Sequence, residues 1–169
     1  VIFFVIHNIV AKSNLFFIGG MIARHHGADL RRGAGLGAAW PLLGIAFLIP
    51  ALALAGLPPL SGFAAKLAIV VSAADEGRYL LVAAALATGL LTLFSMLKIY
   101  LIAFWTPRPG EAQPRMRRAW LRAAPMAALA VLTIGMGLGA GPLLSWCLEL
   151  GAVLEDPTVY RQLALEDQP

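Results

Sequence analysis

The sequence predicts an all-α fold, a polytopic transmembrane helix bundle in which one helix is discontinuous, broken by proline. Three observations carry that reading. The chain of 169 residues is 60% hydrophobic before its 17 glycines are added, where soluble domains average about 45–50% apolar with glycine included. Its mean hydropathy is +0.80. Its apolar runs have the length a bilayer requires, about 20 residues per crossing, and one of them, Trp40 to Asp75, is interrupted by Gly56-Leu57-Pro58-Pro59.

The elements follow in order within a single membrane domain over 1–169. Residues 1–23 form the first span, with an unusual polar load of His7, Asn8, Lys12, Ser13 and Asn14. At about 100° per residue, Asn8 and Lys12 share one stripe and His7 and Asn14 another, so the helix belongs inside a bundle. A loop at 24–39 leads to the broken span at 40–75. That stretch is too long for one straight crossing and short for two. Proline removes backbone donors, and an unwound turn survives at membrane depth only where protein or water covers it. The break is therefore placed at Gly56, Pro58, Pro59 and Gly62. Asp75 to Arg78 make a short turn, and Tyr79 to Trp105 a full span ending in aromatics at headgroup depth. Pro107 and Pro109 stop it. A basic loop at 106–123 precedes the last span at about 124–147, whose face carries Gly135, Gly137, Gly139 and Gly141. The tail at 148–169 is polar and acidic, with room for a short surface helix.

Charge gives the sidedness. Arg24, Arg31 and Arg32 lie in the first loop, and Arg108, Arg115, Arg117, Arg118 and Arg122 in the second. Basic loops stay in the cytoplasm, and both lie on one side only if 40–75 crosses once. Four crossings then put Val1 and the tail on the outer face. The net charge of +4 belongs to these loops and to anionic headgroups, not to nucleic acid. A single cysteine, Cys147, excludes an internal disulfide and a multi-cysteine metal cluster. His25 and His26 lack ligand spacing to other groups, so no metal and no cofactor is expected. The chain has no initiator Met and no charged region before its first apolar run, and is expected to be the C-terminal portion of a longer one.

The chemistry concentrates in lysines. All three, Lys12, Lys66 and Lys98, fall within spans, while all ten arginines lie outside them or at their ends. Arginine stays protonated in proteins, whereas a desolvated lysine can release its proton near neutral pH. A charge at the bilayer centre costs at least about 2.5–3.5 kcal/mol. Lys66 stands shortly after the break, too deep to reach an interface comfortably, and is read as a proton or ion site. Lys12 is read as a relay or a structural pair, and His7 as a hydrogen-bonded packing residue or, through its company with Lys12, a relay. Lys98 snorkels as readily as it functions. No carboxylate lies within any expected span, so an acidic partner must come from elsewhere. Ser61, Ser72 and Cys147 have no neighbouring base, which leaves hydrolase or transferase chemistry unsupported.

The strings HNIVAKSNLFFIGGMI, LAGLPPLSGFAAK and LLTLFSMLKIYLIAFWTP together resemble the antiporter-like family. It comprises the membrane subunits of Mrp-type multisubunit cation/proton antiporters and the proton-pumping membrane subunits of NADH:quinone oxidoreductase and related hydrogenases. The resemblance covers the chain as the last four of the family's fourteen helices, and the S-M-x-K-I…F-W-x-P ending looks most like the D-type member of the antiporter set. It implies a bacterial plasma membrane location, other membrane subunits as partners, and Na+ or K+ and H+ as the ions. Lys66 then falls on the family's central ionisable residue of the broken helix, with Lys12 and His7 on the polar axis beside it. Replacement of Lys66 by Ala is expected to abolish antiport, and Lys66→Glu to retain some function. A purely structural subunit and a redox-driven pump subunit are the competing readings.

Overall fold

The computed structural model describes residues 1–26, 36, 40–105 and 119–155. Among these every regular element is a helix and none is a strand: α1 (Ile2–His26), α2 (Pro41–Ala55), α3 (Ser61–Asp75), α4 (Tyr79–Tyr100, continued by a π turn over Leu101–Trp105), α5 (Ala119–Leu138) and α6 (Ala140–Glu155). The loop at 27–35, most of the basic loop and the end of the tail lie outside the described residues, so their expected sidedness has no structural counterpart here.

Local chemistry sets the helix ends. Trp40 caps α2 and Pro41 occupies its first turn, where a missing N–H is harmless. Pro50, fully enclosed inside α2, has no N–H to offer the Ala46 carbonyl one turn back. The turn after α3 closes on Gly77 at φ +69°, with the Gly77 and Arg78 amides returning to the carbonyls of Ala74 and Ala73, a glycine-ended helix stop.

Two stretches, Ile2–Arg24 and Tyr79–Trp105, are each long and apolar enough to cross a membrane. At 15 residues each, α2 and α3 are about 22 Å long, and neither spans the roughly 30 Å hydrocarbon core alone. The expected single span at 124–147 differs from what is seen. Its helix begins at Ala119, carries Pro125 in its interior, and bends by 81° where α5 gives way to α6. Glycine is common in membrane helices, and nothing in that apolar run marks Gly139 as the corner. Glu149, the first acidic residue of the expected tail, lies within α6.

Packing divides the bundle into two apolar clusters. One gathers Ile18, Ile22, Leu43, Phe47, Phe104 and Met126, with the rings of Phe47, Tyr100 and Phe104 at centroid distances of 5.3 to 6.3 Å, within the range of favourable aromatic contact. The other gathers Phe3, Ala65, Met136 and Cys147. The buried polar residues among those described are His7, Asn14, Ser61 and Thr133. Each falls, along its own helix or broken helix, between the two clusters. Of these, His7 and Ser61 meet at the α2–α3 break.

Candidate functional site

The break begins as a helix terminus whose last four carbonyls need donors. Gly56 adopts φ +89°, the left-handed conformation that a glycine enters without cost. Its N–H reaches the carbonyls of Leu52 and Ala53, both at 3.0 Å, and the Leu57 N–H also reaches Leu52. Two carbonyls remain, those of Leu54 and Ala55. The Lys66 ammonium donates to both, at 2.8 and 2.9 Å. All four carbonyls at the end of α2 are then satisfied, two by backbone and two by one side chain of α3.

The electrostatics of this arrangement favour a cation. The C-terminal end of a helix carries partial negative charge, and a charge-assisted hydrogen bond is roughly twice as strong as a neutral one. Two of the three ammonium N–H groups are engaged. Lys66 also lines a cavity of about 290 Å³ between the break, α3 and α4, walled mainly by Leu57, Phe63, Leu67, Leu86 and Leu90. Gly89 of α4 brings its Cα close: a Cβ there would stand 3.4 Å from both Lys66 Nζ and the Ala55 oxygen.

The far side of the break belongs to α1. His7, buried, places Nδ1 at 2.8 Å from the Ser61 hydroxyl, at the first residue of α3. Gly62 is where the two half-helices touch. A Cβ on it would overlap the Ala53 carbonyl and stand 2.9 Å from His7 Nε2. Asn14 is fully buried on the same stripe as His7, with neither amide atom hydrogen-bonded among the described residues.

The expected site residues therefore separate. Gly56, Gly62, Pro58, Pro59, Lys66 and His7 gather at the break. Lys12 does not join them: with Asn8 it lies on the outward stripe of α1, lining a groove with Phe4, Val5 and Ile9. Asn8 turns back on the Phe4 carbonyl at 3.0 Å. Lys98 is exposed on α4. Sequence reasoning passed over Ser61 as anything but a nucleophile, and over Gly89 and the Leu54 and Ala55 carbonyls. Gly89, alone among alanines and leucines, is the kind of residue that signals close approach in a membrane helix. The carbonyls leave no such signal.

The chain also has relatives among known proteins. Residues 1–92 match the family described as NADH:quinone oxidoreductase/Mrp antiporter, TM. The D-type Na(+)/H(+) antiporter protein of Alkalihalophilus pseudofirmus is 37% identical over 98% of this chain and 34% of its own length. Its namesake from Bacillus subtilis is 33% identical over the same shares. The chain thus spans about a third of the length of these relatives. Among solved structures, the Mrp complex from Dietzia sp. DQ12-45-1b matches with a TM-score of 0.84 and 33% identity, over 95% of this chain and 38% of the matched one.

Proposed function

Since this chain belongs to the NADH:quinone oxidoreductase/Mrp antiporter family, we propose that it is part of a multisubunit monovalent cation (Na+ or K+)/proton antiporter, and that its share of the work is a proton site at the broken helix. The observation that carries this reading is the Lys66 ammonium held by the Leu54 and Ala55 carbonyls beside a cavity. The site holds the charge with two carbonyl dipoles at a helix end and no carboxylate among its described neighbours, so the ammonium is stabilised without being neutralised by a fixed counter-ion. Repulsion between Lys66 and neighbouring cations would couple successive proton moves. His7 stands on the opposite side of the same turn, bonded to Ser61. Lys12, facing outward in its groove, is left to pair with a group outside the described residues. The loops at 24–39 and 106–123 are placed in the cytoplasm by their arginines.

The relatives named as Na(+)/H(+) antiporter proteins favour this reading. The family description also embraces NADH:quinone oxidoreductase, so a proton-pumping membrane subunit of that enzyme or of a related hydrogenase is the second reading. Co-purification separates them, since the second requires peripheral redox arms. In the full assembly, Lys66→Ala is expected to abolish cation-driven proton movement in membrane vesicles with subunit assembly intact. Full activity in Lys66→Met would overturn the proton-site reading and leave a structural one.

A further inference from the structure

The bend between α5 and α6 falls beside the break in α2–α3, and one residue joins the two. A Cβ on Gly137 would overlap the Pro59 carbonyl and stand 2.7 Å from the Ser61 nitrogen and 2.8 Å from the Leu60 carbonyl carbon. These are backbone atoms, which do not rotate aside as a side chain does. Two residues on, the chain turns by 81°, which carries α6 to the packing of Cys147 with Phe3, Ala65 and Met136. Gly135 and Gly141 of the same run differ: a Cβ at either would meet nothing within 4 Å. The run is therefore not a uniform stripe of small residues. It contains one position where only hydrogen fits, and that position abuts the residue whose hydroxyl holds His7.

We propose that Gly137 is a positioning residue for the broken helix. It lets the second interrupted helix press on the Pro59–Ser61 backbone, and that pressure keeps the Ser61 hydroxyl in reach of His7. The consequence for transport rests on the proton-site reading of the break; the geometry does not. An added methyl at position 137 moves the 59–61 backbone, because α5 is itself fixed between Met126 of one apolar cluster and Met136 of the other.

The test uses the full antiporter assembly carrying Gly137→Ala, with Gly135→Ala and Gly141→Ala as controls, and reads two quantities. In structures of the variants, the His7–Ser61 bond is lost in Gly137→Ala and retained in both controls. In vesicles, antiport falls at least about tenfold in Gly137→Ala, and the double variant Gly137→Ala/Ser61→Ala is no worse than the more damaged single one, the signature of two residues acting through one interaction. An unchanged His7–Ser61 bond in Gly137→Ala, equal loss in the controls, or additive losses in the double variant would each overturn the proposal. A lost bond with full antiport would overturn the consequence for transport and leave Gly137 as a positioning residue of the fold alone. Should Gly137→Ala not assemble, Gly137→Ala/Met126→Ala, which frees α5 to retreat from the 59–61 backbone, is expected to assemble with the His7–Ser61 bond restored, and a double variant that fails like the single one, or assembles with the bond still absent, would overturn the proposal.

Discussion

The proposed proton site gives Lys66 two duties that a substitution can pull apart. As a cap it satisfies the Leu54 and Ala55 carbonyls; as an acid it can release a proton, which arginine cannot. Lys66→Arg keeps the charge and the donors, so it is expected to assemble and to transport nothing, measured as vesicle antiport against the amount of purified complex. Normal antiport with arginine would show that the residue serves only as a cap. The capping duty has its own test. Lys66→Met fills the side-chain channel with an apolar stem and leaves two carbonyls dry, at about 1–3 kcal/mol for each unsatisfied group. Lys66→Ala opens the cavity further, so water can reach them. The methionine variant is thus expected to melt at a lower temperature than the alanine variant, although methionine is the more hydrophobic residue. The reverse order would show that the carbonyls do not depend on the ammonium. Lysine at this position was legible because its type is improbable in a membrane helix. Its partners were not, since backbone carbonyls are identical at every residue and only the fold chooses which two lose their donors.

Among the elements, the break in α2–α3 was visible in sequence because glycine and proline act locally, through φ and a missing N–H. The corner at Gly139 was not, because it depends on what α5 meets in space, and Pro59 lies far away in sequence. The same distinction ranks two glycines at the break. Gly56 is needed for its left-handed φ, and Gly56→Ala costs about 1–2 kcal/mol of strain; the new Cβ, 2.8 Å from Lys66 Cδ, displaces only a flexible stem. Gly62 is needed for space. Its Cβ would overlap the Ala53 carbonyl and crowd His7, and neither α2 nor the imidazole, held by Ser61, has room to retreat. Gly62→Ala is therefore expected to destabilise the assembly more than Gly56→Ala and to abolish antiport, whereas Gly56→Ala retains part of it. Thermal unfolding and vesicle transport of the two variants in parallel decide the order.

At the scale of the whole molecule, the bend between α5 and α6 makes the side of the membrane on which the tail emerges a measurable consequence of the fold. At 81° the pair is either one interrupted crossing or a re-entrant loop, and the two differ in where the tail emerges. Two arguments favour the crossing. The segment before α5 carries Arg115, Arg117 and Arg118, with Arg122 in its first turn, while the residues from Glu149 onward hold Glu149, Glu155, Asp156, Glu166 and Asp167 against Arg161. Arginine is retained in the cytoplasm and carboxylates exert little pull, so only Arg161 opposes the tail's passage outward, against four arginines before and at the start of α5. The second argument is packing: Cys147 of α6 meets Phe3, near the start of α1, while Met126 of α5 meets Ile18 and Ile22, near its end. From Met126 to Cys147 the chain has travelled most of the length of a helix that itself crosses the membrane, which a loop returning to its own side does not do. With Cys147 replaced by Ala and Tyr160→Cys introduced in the full assembly, a membrane-impermeant thiol reagent applied from outside is expected to label position 160, and the same reagent confined to the cytoplasmic face is not. Cytoplasmic labelling would make the α5–α6 pair re-entrant and would return the tail to the side of the basic loops.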